Sequence, residues 1–254
     1  MSRKVFLPGC ALPSYNPKNV ELMIKHLQTV YPDLSVVQKC CGKPTKAIGQ
    51  AEKFQERFEN LIDDIKSCEI DEAIVACQSC MNTVGECKDY KTTSLWEILP
   101  EIGLPQELIG KAKDSDVVFS VHDSCSVRGR DALHNGIRWI LDELGYKRAE
   151  PEHTRATTRC CGFGGMVVPA NPDVAKRVME RRVADFPTDK IVVYCAACRQ
   201  SMLQGGGQAW HILDLVFGDV VYKDTLSPVN TLASPLKAWG NRRKSRQMIK
   251  KLIK

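Results

Sequence analysis

Short apolar runs without polar alternation recur along the chain: Val5-Phe6-Leu7, Ala73-Ile74-Val75-Ala76, Val117-Val118-Phe119-Ser120-Val121 and Ile191-Val192-Val193-Tyr194. Such runs suit strands covered on both faces of a parallel sheet. Leu34-Ser35-Val36-Val37 is a weaker strand candidate. Between the runs, apolar residues fall at helical spacing. Val20, Met23, Leu27 and Val30 keep the pattern until Pro32 stops it; Phe54, Phe58, Leu61, Ile62 and Ile65 form a second stripe. Leu133, Ile137, Leu141 and Leu144 form a third, closed by Gly145 where a C-cap glycine belongs. Asn16-Pro17 and Asn171-Pro172 each supply a capping side chain followed by proline in the first helical position. The stripes are read as core. Strand–helix alternation of this kind predicts an α/β fold of two pseudo-symmetric Rossmann-like halves, each a small parallel sheet flanked by helices. The halves are expected to close at Ser94–Leu99 and Trp210–Leu215, with the link near residues 100–115, where Pro100, Gly103, Pro105 and Gly110 break the pattern. That gives domains at 1–105 and 106–225, with a C-terminal tail at 226–254.

The twelve cysteines repeat this division. Cys10 is followed by Cys40-Cys41 and then by Cys77 and Cys80; Cys125 is followed by Cys160-Cys161 and then by Cys195 and Cys198. Glycine follows the adjacent pair both times, as Gly42 and Gly162. The chain reads as an internal duplication. Every cysteine group lies just after an expected strand, and in open α/β sheets ligands gather beyond the carboxyl ends of the strands. Three loops of each half are thus expected to converge on one point.

Charge changes the picture little. The 36 Lys and Arg outnumber the 30 Asp and Glu, but seven of the cations lie between Arg242 and Lys254, where no acid stands. The body is close to neutral, so nucleic-acid binding is not expected. The tail interleaves Met248, Ile249, Leu252 and Ile253 with lysines, a pattern suited to an acidic partner or an anionic membrane surface, although a solvated end is the favoured reading. No apolar run approaches the ~20 residues of a membrane span, and the apolar stretch after the N-terminal Met-Ser-Arg-Lys is too short for a signal peptide. A cytoplasmic location is expected. In a reducing compartment this many cysteines point to metal or redox chemistry rather than structural disulfides.

Zinc in a structural site takes four tetrahedral ligands. Five thiolates, two of them adjacent in sequence, exceed that need, and soft thiolates suit an iron–sulfur cluster whose separate irons adjacent cysteines can reach. Gly42, Gly162, Gly164 and Gly165 would let backbone N–H groups approach sulfur. A cluster is favoured over zinc and over a metal-free thiol protein.

The motifs Cys40-Cys41-Gly42-Lys43-Pro44 with Gly49, Val121-His122-Asp123-Ser124-Cys125 and Cys160-Cys161-Gly162-Phe163-Gly164-Gly165-Met166, with His211–Leu215 as the ending, resemble the CCG cysteine-rich domain family. That domain occurs twice in the B component of heterodisulfide reductase, and also in components of enzymes that oxidise glycolate, lactate and glycerol-3-phosphate. The resemblance covers residues 4 to about 217. It implies two [4Fe-4S] clusters of noncubane type, one per half. The ligands would be Cys10, Cys40, Cys41, Cys77 and Cys80 in one half, and Cys125, Cys160, Cys161, Cys195 and Cys198 in the other. It also implies thiol/disulfide redox chemistry, with a substrate disulfide split between the clusters. The sequence has no ferredoxin-type run of cysteines and no dinucleotide fingerprint, so electrons are expected from a ferredoxin-like or flavoprotein donor subunit. A small-molecule disulfide or thiol is the expected substrate. An electron-transfer module of a larger complex, with no substrate of its own, is the alternative; a zinc-bound structural or assembly protein is the third class.

Other residues attract blander readings. Cys68 and Cys87 have no cysteine counterpart in the second half and read as simple thiols. His122 and His211 read as structural histidines, with a ligand or proton-donor role for His122 the second choice. His26, His134 and His153 read as solvated. Arg128 and Arg130 read as surface residues, or as attractors of an anionic substrate.

Overall fold

The computed structural model describes residues 3–253, so Met1, Ser2 and the last cation of the tail, Lys254, lie outside the described residues. The chain divides into two compact units, one of Met1–Ile98 with Thr231–Lys254 and one of Leu99–Asn230.

The first unit starts with β1 (Lys4–Leu7), a short α1 (Ala11–Tyr15), α2 (Pro17–Val30) and β2 (Ser35–Val36). It continues through α3 (Lys43–Ala47), α4 (Ala51–Lys66), β3 (Glu72–Val75), α5 (Gln78–Val84), β4 (Lys91–Ser94) and the start of α6 (Leu95–Ile102). The four strands are parallel, in the order β2-β1-β3-β4. Asn16 caps α2 as its sequence promised, its side chain accepting from the backbone N–H groups of Lys18 and Asn19. Val20, Met23 and Leu27 of α2 and Leu61, Ile62 and Ile65 of α4 are buried, as read; Val30, counted as core, is 42% exposed at the helix end.

The second unit repeats the plan with β5 (Val118–His122), α7 (Asp131–Leu144), β6 (Lys147–Ala149) and α8 (Val167–Ala170). Then come α9 (Pro172–Ala184), β7 (Lys190–Val193), α10 (Ala196–Gln204), β8 (Gln208–His211) and α11 (Ile212–Phe217). Its sheet is again all parallel, in the order β6-β5-β7-β8. Both sheets reverse winding beside their first strand, and the crevice at that reversal is where α/β sheets hold ligands. Both units therefore have the expected α/β architecture.

Past the second unit the chain returns to the first as α12 (Pro235–Leu252). The expectation of a solvated end does not hold here. The helix packs on α1 and α2 through a face of Ala238, Asn241, Ser245, Ile249 and Leu252 rather than through a broad apolar stripe. Ser245 donates to Gln38 Oε1 at 2.6 Å, and Asn241 Nδ2 donates to the carbonyl oxygens of Ser14 and Tyr15 at 3.1 and 3.3 Å. A face held by small residues and hydrogen bonds has little hydrophobic contrast, so periodicity alone undersells it. Among the described residues, no helix is long and apolar enough to cross a membrane.

Candidate metal centres

In the first unit, adjacent strands β2, β1 and β3 deliver Cys40-Cys41, Cys10 and Cys77 from their carboxyl ends. Cys77 stands at the N-cap of α5, which places Cys80 one turn further along the helix. The five thiols meet. Cys10 is hydrogen-bonded to Cys40, and Cys80 lies within hydrogen-bonding reach of both Cys41 and Cys77. Cys41 and Cys80 are only 3% and 1% exposed, packed in a core with Leu7, Ile65 and Val75, whereas Cys10, Cys40 and Cys77 are half-buried. The set has a dry back wall and an open front.

The second unit reproduces this from β6, β5 and β7. Its thiols form one chain of neighbours: Cys125 to Cys160, Cys160 to Cys161, Cys161 to Cys198, Cys198 to Cys195. Cys161 and Cys198 are the buried pair, against Ile191, Val193 and Met202. Cys125, Cys160 and Cys195 are half-buried. The structure thus brings the ten cysteines singled out by spacing into two sets of five. Cys68, whose thiol donates to the Asp64 carbonyl at 3.3 Å, and Cys87 sit at the edge of the first core, outside both sets.

Thiols this close share protons. The hydrogen bond from Cys10 lowers Cys40 to about 6, and that from Cys80 lowers Cys41 to about 7, while the donors Cys10 and Cys80 are pushed well up. In the second unit Cys160 is pulled far down by Cys125 and Cys161, and Cys195 falls to about 7 through Cys198. Donation to Cys160 pushes Cys161 up to about 12. Each thiolate exists because a neighbour keeps its proton. Only a concentrated positive charge lets all five ionise together, and metal binding then releases the protons. Five sulfur donors meet in each unit where zinc needs four, and in the second a His122 ring nitrogen lies within 4.8 Å of Cys161 and Cys198, so the residues fit a multi-iron cluster.

Backbone N–H groups serve the same sulfurs. The Gly162 N–H points at Cys160 Sγ at 3.4 Å, and the N–H groups of Gly42, Lys43 and Phe163 serve Cys40, Cys41 and Cys161. Gly162 has a second reason to be glycine. Its φ is +88°, and a Cβ there would lie 2.9 Å from Met179 Cγ and 3.1 Å from the Ala175 carbonyl of α9. Gly42, at φ +76°, meets Phe54 of α4 in the same way. We expect Gly162→Ala to cost roughly 2–3 kcal/mol, from left-handed strain and displacement of α9, and to leave the second unit's thiols less able to retain metal. Thermal unfolding with iron analysis checks both; a variant of wild-type stability would show that the loop tolerates a side chain.

Polar networks hold the loops. Asp123, fully buried, accepts from Arg138 through both carboxylate oxygens at 2.7 and 2.8 Å, from Thr154 Oγ1 at 2.9 Å and from the Arg155 N–H at 2.8 Å. Burial alone would raise this carboxyl, but the Arg138 guanidinium outweighs it and holds it at about 2. Arg128 donates twice to the Thr158 carbonyl, at 3.0 and 2.6 Å, so it clamps the Cys125 loop to the Cys160 loop and does more than decorate a surface. In the first unit the corresponding loop is held by α12, whose Arg242 donates to the Cys10 carbonyl at 3.4 Å. Arg138, Arg182 and Arg242 escaped sequence reading because long cations on helices ordinarily face water. One expectation is corrected: His134 is fully buried, not solvated, because it shares with Leu133 and Ile137 the face of α7 turned into the core. His211 is structural, accepting from the Leu213 N–H at the N-cap of α11.

Comparison with known proteins agrees with this geometry. The family profile described as "Cysteine-rich domain" (CCG) matches residues 5–85 and 119–203. The chain is 26% identical over 77% of its length to an uncharacterized iron-sulfur protein of Methanocaldococcus jannaschii, covering 40% of that protein. It is 25% identical over 65% of its length to the D component of dihydromethanophenazine:CoB–CoM heterodisulfide reductase of Methanosarcina acetivorans, covering 44% of it. Against the Methanosarcina mazei component of the same name the identity is 24% over 85% of the chain and 57% of the relative. The chain therefore spans about half the length of the curated relatives it matches.

Proposed function

The chain belongs to the CCG cysteine-rich domain family, and on that premise we propose that it is an iron–sulfur redox subunit of the heterodisulfide reductase type. Each half would hold one [4Fe-4S] cluster of noncubane type: Cys10, Cys40, Cys41, Cys77 and Cys80 in the first, Cys125, Cys160, Cys161, Cys195 and Cys198 in the second. The observation that carries this reading is the meeting of five thiols, once in each unit. Likeness to the B component of heterodisulfide reductase in particular is part of the proposal; the Methanosarcina relatives compared above are D components.

When bound, such a cluster would supply one-electron steps and soft iron that can take a thiolate. Reduction of a disulfide takes two electrons and two protons and yields two thiols, and two matched five-thiol sets offer one seat for each product sulfur. The chain's own part is to keep Cys41, Cys80, Cys161 and Cys198 dry while leaving the other cysteines half open to a small-molecule disulfide or thiol. The electrons come from a partner, a ferredoxin-like or flavoprotein subunit. Membership of multi-subunit enzymes among the relatives supports a partner of some kind.

Protein prepared without oxygen is expected to be brown, with about eight irons and eight acid-labile sulfides per chain. Iron, sulfide and zinc analysis of one sample decides the matter. Stoichiometric zinc without sulfide overturns the cluster reading.

A further inference from the structure

At one structurally equivalent position the two thiol sets have different buried neighbours. Three residues before the first cysteine of each set, the strand ends in Leu7 in the first unit and in His122 in the second. The positions are equivalent: Leu7 pairs with Val75 and His122 with Val193, each partner standing two residues before the next cysteine. Both side chains are buried, at 2% and 1% exposure.

His122 is not packed as a simple core ring. A ring nitrogen lies in a group with Cys161 Sγ and Cys198 Sγ whose atoms are all within 4.8 Å of one another. Its Nδ1 accepts from Arg182 Nε at 3.2 Å. Its Nε2 is buried without a hydrogen-bond partner among the described residues. Arg182 is itself fixed, paired to Asp185 Oδ2 at 3.3 Å and lying 4.4 Å over the Phe186 ring. Arginine carries no lone pair for a ring N–H to donate to, so Nδ1 must be the bare nitrogen and the ring proton sits on Nε2. An Nε2 that carries a proton cannot ligate iron; it can only donate.

Resting on the reading that a cluster occupies the second set, we propose that His122 Nε2–H donates a hydrogen bond to a cluster-bound thiolate, Cys161 or Cys198, and makes the second half's cluster the more easily reduced of the two. The physical reason is charge. Reduction adds negative charge to the cluster sulfurs, and an N–H donor stabilises that state; Leu7 offers no donor at the equivalent place, and the side-chain donor near the first set is the neutral hydroxyl of Thr83 beside Cys41. Arg182 is a positioning residue that fixes the tautomer.

The test is potentiometric titration followed by electron paramagnetic resonance, on anaerobically prepared protein whose iron and sulfide are measured first. Wild type is expected to show two midpoints. His122→Leu, which installs the residue of the first half, should move the higher midpoint down toward the lower one, with the lower midpoint and the iron content unchanged. His122→Gln keeps an N–H donor and should restore most of the separation. Unchanged midpoints in His122→Leu, or an equal shift of both, overturn the proposal. Loss of about half the iron in both variants also overturns it, because His122 would then be holding metal rather than tuning it. Wild type without iron instead defeats the cluster reading itself, a result the initial analysis separates from the other outcomes.

Discussion

Cys41→Ser and Cys161→Ser are each expected to abolish disulfide reduction with an artificial electron donor, by on the order of 100-fold or more, while removing about half of the iron. Both residues are 3% exposed and belong to the dry wall of their set. Serine there withdraws one of the proposed soft ligands and leaves a hydroxyl in an apolar wall, at a further cost of about 1–3 kcal/mol. Disulfide cleavage yields two thiols; on the proposed reading each set seats one of them, so a variant with one intact set can seat only one product sulfur. The half that keeps its cluster is therefore not expected to keep half the activity. Iron, sulfide and turnover measured on the same preparation decide the question. If either variant retains most of the activity, cleavage by the two sets together is excluded, and electron relay without a substrate becomes the better reading.

Arg138→Met is expected to cost the second unit about 3–5 kcal/mol, because it leaves the buried Asp123 carboxylate without its cation. The sign with pH identifies the mechanism. In the wild type Asp123 is held at about 2, below its unfolded value, so its contribution is full above about pH 4 and fades as pH falls toward 2. Glu150, also lowered by Arg138 against its burial, acts in the same direction. Without Arg138, burial dominates and raises the Asp123 carboxyl. The penalty of the variant should then be largest near neutrality and shrink on acidification, as Asp123 takes up a proton. Denaturant unfolding of both proteins across pH 3–8 measures this; a penalty that does not vary with pH would mean that Arg138 matters for packing alone.

The buried parts of the fold were legible, and the reason is physical. The central strands β1, β3, β5 and β7 are covered on both faces and so read as unbroken apolar runs. The strands β4, with Lys91 and two threonines, and β6, with Lys147 and Arg148, lie at the sheet edges, where polar side chains meet water, and they escaped notice. The thiol sets were legible because spacing repeated. What holds them was not. The bonds Asp123–Arg138, His122–Arg182 and Cys10–Arg242 span 15, 60 and 232 residues, a relation that no local pattern records. His134 shows the same blindness: charged neighbours in sequence say little about which side of a helix meets the core.

The return of α12 to the first unit has a consequence for the order of biosynthesis. All of the second unit lies within one continuous stretch, Leu99–Asn230, so its internal contacts can all form once that stretch has left the ribosome. The Cys10 loop must wait for Arg242, made 232 residues later, and Asn241 reaches Ser14 across 227. At ordinary translation speeds that delay is roughly 10–50 s. The half translated first is therefore finished last. Its thiols spend that interval without their final brace.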